Sequence, residues 1–474
     1  MPLSNTAPIG ADMSTRPVSI VAATGMLGTG FLEQSLREAV ARGAVAIGCD
    51  AGSSDPGPRF LGTGELSRSG IALKRDLDLM IRVGREAGIP VVVGSAINAG
   101  ADRQLAEAVS MVKAIAAERG LSFRLAVISG EVPHHWLATA QDQGRVRPMA
   151  GLPPLTRDAI HGSVRFVAQM GPEPILRALA AGADVVLCGR ASDAAVFAAL
   201  GLHAGVPANL AWHAGKILEC GAAPAIHRIH PDCIMATFDA DSFTIAVPNP
   251  KMACSRLSVL AHGYYENADP YEIHEPGGMI DLSKAVFEEV PGGKVRVSGS
   301  RFVPAPQYEV RVEGSRLDGF RSIVIAGISD PILLDDLDSF ITGCEAEIRR
   351  KCAESLGLRA GDFQFTIRRY GSAQASFDPG ATDQVGLIFE MVAADQATAR
   401  AAVMIASHTA LHHPVAGWQG FVSNLAIPFS PAAFDGGPVY RWSANHLVRI
   451  DDPLAPFAAI GPLPVEEVQF HAVG

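Results

Sequence analysis

The feature that most constrains the fold is the alternation of short apolar segments with longer amphipathic segments through residues 18–225. Short apolar runs bounded by glycine and small polar residues are typical of buried parallel strands, and the periodic segments between them are typical of helices. Strand–helix–strand repeats form right-handed crossovers within one parallel sheet. The pattern predicts strands at Val18–Ala22, Ala44–Gly48, Pro90–Val93, Phe123–Ile128 and Val185–Cys188. We therefore predict an α/β fold that begins with a Rossmann-like parallel-sheet domain.

The segment Gly182–Asp193 shows how such a strand would present reactive side chains. Its apolar run breaks at Gly189 into a polar turn, and ligands of open α/β sheets bind where strands end in this way. Arg190 would hold a carboxylate or phosphate, while Asp193 would steer Arg190 or move a proton. Gly189 and Ser192 would border the substrate. In the alternative interpretation Ser192 and Asp193 only cap the next helix, and Arg190 is a surface charge.

The loop after the second predicted strand is too rich in glycine and proline to be regular structure. Polar loops at this edge of a sheet commonly carry function. Asp50 and Asp55 are candidate acid/base groups or metal ligands, and Ser53 and Arg59 are candidate substrate contacts. Turn formation, in which the same serine and aspartate side chains bind local amides, is the alternative.

Four further residues complete the set of candidates. Ser95 follows the third predicted strand and Glu131 follows the fourth, so both are expected at the same edge as Asp50 and Arg190. His213 lies on a predicted helix and is a candidate acid/base or substrate-binding group, although helical histidines are commonly surface or core residues. Asn424 lies in an extended loop and is a candidate substrate contact. The predicted catalytic groups are Asp50, Asp55, Glu131, Arg190 and Asp193.

A glycine turn after the first predicted strand indicates a possible cofactor site. Gly25, Gly28 and Gly30 precede a helix, an arrangement that binds phosphate through backbone amides. Asp50 would then face a ribose, as the acid of a dinucleotide site does. The spacing is not that of the standard dinucleotide fingerprint, and any tight strand–helix turn uses glycines. NAD(P) binding is therefore an alternative hypothesis.

Three histidines end a predicted helix at residues 396–411, and His408 and His412 are one turn apart. That spacing suits a divalent metal. No glutamate follows His408 in the zinc-protease pattern, and helix carboxyl ends favour histidine through the helix dipole. We assign no metal ligand, and the preferred hypothesis requires no cofactor, with a divalent metal or NAD(P) left open.

The later sequence changes character, and this change predicts a second domain. Short strands in hairpins and two long helices indicate an α+β domain with a mainly antiparallel sheet. We predict a disordered tail at residues 1–16, a parallel-sheet domain with the active site at residues 17–226, and the α+β domain at residues 227–474.

Composition limits the partners and the compartment. The 474 residues carry a net charge of −10 without a basic cluster, which argues against nucleic acid. The first sixteen residues resemble neither a signal peptide nor a membrane span. Seven cysteines without a Cys-x-x-Cys pair suit reduced thiols in a cytoplasm. We expect a cytoplasmic protein, a homo-oligomer, with a small anionic substrate and no membrane partner.

Three segments in order resemble the acyclic terpene utilisation (AtuA-like) family: Gly182–Asp193, Leu218–Ala222 and Ser423–Pro431. The resemblance extends over about Val18 to Pro431, and the loop Cys49–Pro58 resembles that of a subgroup. It implies a role in branched-acid breakdown, with a lyase step on a branched hydroxyacyl-CoA. It also implies a small companion protein and carboxylate-uptake genes nearby.

These observations give three hypotheses for function. The first is a lyase or hydratase that acts on a small organic acid or its CoA thioester, with an acid/base group of shifted pKa beside a fixed cation. The second is an NAD(P)-dependent oxidoreductase built on the glycine turn. The third is a non-catalytic subunit of a carboxylate-processing complex that uses the companion protein.

Overall fold

The computed structural model of the chain describes residues 17–371, 384–417 and 423–472. The predicted disordered tail, residues 1–16, lies outside these ranges. The chain divides into two compact units, Met1–Arg316 together with Trp442–Gly474, and Leu317–Arg441.

The helices and strands follow each other in chain order. The first part contains β1 (Val18–Ala22), α1 (Glu33–Ala41), β2 (Ala44–Asp50), α2 (Pro58–Thr63), α3 (Gly70–Ala87), β3 (Val91–Gly94), α4 (Asp102–Arg119), β4 (Arg124–Ile128), α5 (His134–Asp142), β5 (Val146–Pro148), α6 (Arg157–His161), β6 (Arg165–Ala168), α7 (Glu173–Ala180), β7 (Val185–Cys188), α8 (Asp193–His203) and α9 (Ala208–Leu218). The middle part contains β8 (Ala225–Ile226), β9 (Ile234–Phe238), β10 (Ser242–Ala246), β11 (Ala253–Cys254), α10 (Arg256–Gly263), β12 (Glu272–Glu275), β13 (Gly278–Asp281), β14 (Val286–Val290), β15 (Lys294–Ser298), β16 (Arg301–Pro304) and β17 (Tyr308–Ile328). The last part contains α11 (Pro331–Asp335), α12 (Leu337–Leu356), β18 (Phe363–Tyr370), β19 (Val385–Ala393), α13 (Gln396–Leu411), β20 (Ala433–Ile450) and β21 (Ala459–Pro464).

A ten-stranded mixed sheet organises the larger unit, in the order β14-β15-β10-β9-β1-β2-β3-β7-β4-β21. The five central strands, from β1 to β4 in this order, are parallel. They are the five strands that the apolar runs predict, and β7 lies between β3 and β4 although it comes last in sequence. Their carboxyl ends therefore share one edge of the sheet.

Apolar side chains cover both faces of this sheet, as a parallel sheet requires. Val91 and Val93 pack into one core with α3 and α4, while Val92 packs into the other core with α8. Glycines in the left-handed conformation end two of the covering helices, Gly88 after α3 and Gly120 after α4. The alternation of side chains along each buried strand thus holds a helical layer on each face.

The division of the chain differs from the predicted domain boundary at residue 226. Strand β9 pairs antiparallel with β1, and β10 continues the same sheet, so residues 227–316 extend the first unit. Strand β21 pairs with β4 at the other side of the sheet and brings the carboxyl-terminal residues back to it. Chain order alone does not indicate these pairings, because they join segments distant in sequence.

The apolar pattern of Arg157–Met170 favours one helix, but part of this segment is a strand. Helix α6 ends at His161, and Arg165–Ala168 forms β6, which pairs with the first half of β17. Pairing with a distant strand overrides the local helical pattern here.

The smaller unit has the α+β character that the sequence predicts. Strand β19 pairs antiparallel with β18 and with the second half of β17. Helices α12 and α13 pack on this sheet through a core that includes Phe389, Cys344 and Ala406. With the parallel sheet of the first unit, this confirms the predicted fold class.

Two further observations concern the cysteines and the helices. The seven cysteines are free thiols, and six of them are buried. Among the described residues, every helix is too short or too polar to cross a lipid bilayer.

Candidate active site

Three loops meet in backbone contact at the carboxyl edge of the parallel strands. A Cβ atom added to Gly100, in the loop after β3, would lie 2.3 Å from the backbone nitrogen of Arg190. The same distance separates that nitrogen from a Cβ atom at Gly130, after β4. A Cβ atom at Gly189, after β7, would lie 2.3 Å from the nitrogen of Gly130. Only glycine allows this approach, so the predicted convergence of these loops is observed.

Arg190 lies at the centre of the converging loops and is 4% exposed. Its Nε donates to Glu313 Oε2 at 3.0 Å, and its Nη1 donates to Asp193 Oδ1 at 3.1 Å and to Ser95 Oγ at 3.0 Å. Burial alone would lower the pKa of Arg190, but Glu313, Asp193 and Asp50 together raise it. The guanidinium is therefore a permanent buried charge with fixed partners, and not the surface charge of the alternative interpretation.

Ser95 holds this arrangement through an unusual backbone. It has φ +46°, and Ile97 two residues later has φ +53°. Positive φ is strained for residues other than glycine, most of all for a β-branched one, and such strain persists where the surroundings enforce it. Besides accepting from Arg190, Ser95 Oγ donates to the Ala191 carbonyl at 3.3 Å. Ser95 is thus a positioning residue for Arg190, a more specific role than the predicted substrate contact.

Glu313 is the main partner of Arg190, and the sequence did not reveal it. It is 2% exposed on β17, and its Oε1 accepts from Ser54 Oγ at 2.8 Å and from Arg311 Nη2 at 3.2 Å. Burial raises the pKa of Glu313, but Arg190 and Arg311 outweigh it, so the net shift is downward. Glu313 therefore stays anionic between two arginines.

A polar cavity of about 260 Å³ opens beside Glu313. The residues that line it are Ser54, Asp55, Arg311, Glu313, Trp442 and Asn445. Arg311 Nε donates to Asn445 Oδ1 at 2.7 Å, which fixes the guanidinium at the cavity wall. Asp55 Oδ2 accepts from Ser53 Oγ at 2.6 Å, so Ser53 orients a predicted catalytic carboxylate. Asp55 is thus placed in the cavity, with Ser53 behind it.

A group of carboxyls with raised pKa values surrounds Asp193, the first residue of α8. Burial raises the pKa of Asp193 itself, and the neighbouring charge of Asp55 adds to this shift. Burial also raises the pKa of Glu275 to about 7 and that of Glu219 to about 8. Lys216 Nζ binds Glu219 Oε1 at 2.6 Å and supplies the local cation. Carboxyls of this kind exchange protons near neutral pH.

Ser192 and Asp50 both interact with this group of carboxyls. Ser192 makes no side-chain cap bond to α8, and its hydroxyl donates to Glu275 instead. Asp50 is 6% exposed, and its Oδ1 has no hydrogen-bond partner among the described residues. Burial, together with the charge of Asp193, raises the pKa of Asp50 well above its usual value. Burial at this position therefore disfavours the charged form of Asp50.

Glu131 and Arg59 make contacts that differ from their predicted roles as a catalytic group and a substrate contact. Glu131 Oε2 accepts from the backbone nitrogen of Asp102 at 2.9 Å, and its Oε1 pairs with Arg165 Nε at 3.0 Å. Glu131 thus stabilises the amino end of α4, which accounts for its position without a catalytic role. Arg59 pairs with Glu65 at 3.0 Å on the surface.

His213 and Asn424 also have structural surroundings. His213 is fully buried, its ring lies edge-on to Phe243 at 5.3 Å, and burial lowers its pKa to about 3. A neutral imidazole of that pKa is unsuited to proton transfer near pH 7. Asn424 lies in the smaller unit, where its amide donates to the carbonyls of Ala410 and His413 at the end of α13.

Two backbone amides of the glycine turn are already hydrogen-bonded within the chain. The backbone nitrogens of Gly28 and Gly30 donate to Asp76 Oδ2, at 2.8 and 3.0 Å. A Cβ atom at Gly25 would lie 2.3 Å from the Cys220 backbone, so this glycine allows two chain segments to touch. NAD(P) binding here would require Asp76 to move aside, which weakens that hypothesis.

The histidines at the end of α13 line a surface cavity of the smaller unit. The rings of His408 and His412 are 4.9 Å apart between centroids and nearly perpendicular. Within residues 17–371, 384–417 and 423–472, no three His, Cys, Asp or Glu side chains are grouped so as to hold a metal ion.

Residues 72–224 match the family model described as acyclic terpene utilisation family protein AtuA. This range includes the loops after β3, β4 and β7 with Ser95, Arg190 and Asp193, and it leaves out Asp50 and Glu313. Searches of curated proteins and of solved structures found no match to the chain. Residues 72–224 are therefore similar to the AtuA family, in agreement with the resemblance that the sequence motifs indicate.

Proposed function

We propose that this chain is a lyase or hydratase-type enzyme that moves a proton on a small organic acid or its CoA thioester. The observation that carries the proposal is the pairing of Asp193 with Arg190 inside a group of carboxyls with raised pKa values. The family model concerns acyclic terpene utilisation, which is consistent with a catabolic role.

The chemistry needs a base that takes a proton next to a carbonyl or carboxyl carbon and a cation that stabilises the resulting negative charge. Asp193 is the base of choice because its side chain is 28% exposed while Nη1 of the buried Arg190 fixes its orientation. Lys216 lies close enough to lower the pKa of Asp193 against the larger effect of burial. It supplies the second positive charge.

A leaving hydroxyl also needs a proton. Glu275, with a pKa of about 7, holds one for much of the time at neutral pH. Its hydrogen bond from Ser192 keeps it beside the first turn of α8. Two carboxyls of different proton affinity, one as base and one as acid, are the arrangement that elimination and hydration require.

The test is exchange of the proton next to the carboxyl carbon, followed by NMR in D2O over a panel of hydroxy acids and their CoA thioesters. We expect exchange with the wild-type chain, and about a hundredfold slower exchange with Asp193→Asn. Asp142→Asn is the matched control, because Asp142 is an exposed carboxylate on α5 whose partner is Arg157. Equal exchange by Asp193→Asn and the control, or no exchange with any compound, would contradict the proposal.

The hypothesis of a non-catalytic subunit predicts a different pattern in the same assay. Exchange would then require the small companion protein and would be unaffected by Asp193→Asn. Adding the companion protein to each sample therefore separates the two hypotheses.

A further inference from the structure

We propose that the substrate is a short, free hydroxy acid, and that Arg311 and Asn445 bind its carboxylate in the polar cavity beside Glu313. The inference rests on the proposed function and names its substrate class, since Glu313 of the cavity is hydrogen-bonded to Arg190 and the charge of Asp55 acts on Asp193. It excludes a CoA thioester and a terpenoid acyl chain as the group bound in this cavity.

The carboxylate site is a pair of neighbouring donors. The Arg311 side chain is 36% exposed, and its Nε donates to Asn445 Oδ1 at 2.7 Å. Since Oδ1 is the accepting end of the amide, Nδ2 is the end that donates to a ligand. A guanidinium beside an amide N–H matches the two oxygens of a carboxylate. A thioester carbonyl has no negative charge to offer this pair.

Arg311 is a better ligand for the substrate than Arg190. Arg190 is 4% exposed and is already bound to Glu313 and Asp193, whereas Arg311 lines the cavity. Glu313 accepts from both arginines, so its charge is compensated from behind by Arg190. Because Arg190 already compensates the charge of Glu313, the positive charge of Arg311 is available to a ligand.

The hydroxyl site is Asp55. This residue is exposed and lines the same cavity, and its Oδ2 accepts from Ser53 Oγ at 2.6 Å. That bond orients the carboxylate and directs Oδ1 to a different partner. A carboxylate accepts a hydrogen bond from a hydroxyl and repels a second carboxylate or a carbonyl oxygen. The cavity therefore favours an acid that carries a hydroxyl group.

Size and polarity limit the carbon chain. The cavity of about 260 Å³ corresponds to about nine water molecules at liquid density, which is enough room for a short acid. Of the lining residues, Trp442 alone offers an apolar wall. A branched terpenoid chain would deprive the polar lining groups of water without replacing their hydrogen bonds.

The experiment is isothermal titration calorimetry with lactate, β-hydroxybutyrate and malate, and with β-hydroxybutyryl-CoA as the thioester with a matching acyl group. The variants are Arg311→Gln and Asn445→Asp, the second of which keeps Oδ1 and adds a negative charge. The control is Arg147→Gln, since Arg147 is an exposed arginine that pairs with Glu309. We expect at least one free acid to bind, each variant to weaken it about tenfold or more, and the control to leave it unchanged.

The outcomes separate this inference from the proposed function. Binding of a free acid through Arg311 without proton exchange would support the inference and contradict the proposed function. Binding and exchange with the thioester alone, unaffected by Arg311→Gln, would overturn the inference and leave the proposed function standing. Absence of binding by all the free acids would overturn the inference as well.

Discussion

Replacement of Arg190 by methionine removes the buried charge around which the site is built and leaves its partners in place. Glu313, 2% exposed, would lose the bond from Nε, and Asp193 would lose the bond from Nη1. Breaking one side of a buried ion pair costs about 3–5 kcal/mol of the free energy of unfolding. Glu313 keeps Arg311 and Ser54 as partners. We therefore expect the lower end of this range, about 3 kcal/mol.

Urea unfolding followed by circular dichroism measures this loss. Arg147→Met is the matched control, because the pair of Arg147 with Glu309 is at the surface and such pairs contribute about 0–1 kcal/mol. The double variant Arg190→Met with Glu313→Gln should recover part of the lost stability, since it removes the uncompensated charge. If Arg190→Met cost no more than Arg147→Met, the argument for a buried, paired guanidinium would be refuted.

Three further predictions follow from single residues. Gly130→Ala should lower the melting temperature and abolish hydroxy-acid binding, because the new Cβ would lie 2.3 Å from the nitrogen of Arg190. Gly263→Ala, with open space around it, should do neither. His213→Leu should reduce the loss of stability on acidification: the folded pKa is lowered from 6.5 to about 3, so the wild type loses stability as the pH falls through this window. Identical pH profiles of the urea midpoint would contradict this. Glu275→Gln should flatten the dependence of the urea midpoint on pH between about 4.5 and 7. The folded pKa of Glu275 is raised from 4.5 to about 7, so this residue contributes stability that is lost as the pH rises between these values. An unchanged slope there would show that Glu275 is not buried as described.

The sequence was sufficient to place the parallel strands and the edge at which they end. Apolar runs such as Val185–Cys188 are fully buried strands, and the polar turn that follows does carry Arg190 and Asp193 to the carboxyl edge. This part was predictable because buried strands and glycine turns are local signals.

The partners of these residues were not predictable in the same way. Glu313 is 123 residues from Arg190 in sequence and lies on a strand whose neighbours Val310 and Val312 face the core. In an alternating strand, a glutamate that follows such positions lies on the opposite face, which is commonly exposed to solvent. Here that face borders a polar cavity instead. The position of Glu313 depends on the pairing of β17 with β6. Such pairing between distant segments is not evident from a single sequence.

Glu275 and the glycine turn are two further places where the structure differs from what the sequence indicates. Glu275 lies in a segment rich in glycine and proline that reads as a loop, yet it is hydrogen-bonded to Ser192 at the edge of the first sheet. Gly28 and Gly30 form the turn expected of a phosphate site, yet Asp76 occupies their amides. Asp76 lies on α3 and accepts hydrogen bonds from the turn. In the sequence alone, such an aspartate looks the same as one on the protein surface.

A crystal structure of the chain with a bound hydroxy acid tests the central claim most directly. We predict electron density for β-hydroxybutyrate between Arg311 and Asp55, with the ligand carboxylate on the guanidinium and its hydroxyl on the aspartate. Density for the acid in the cavity lined by Thr24 and Cys220 instead would contradict the assignment of the site.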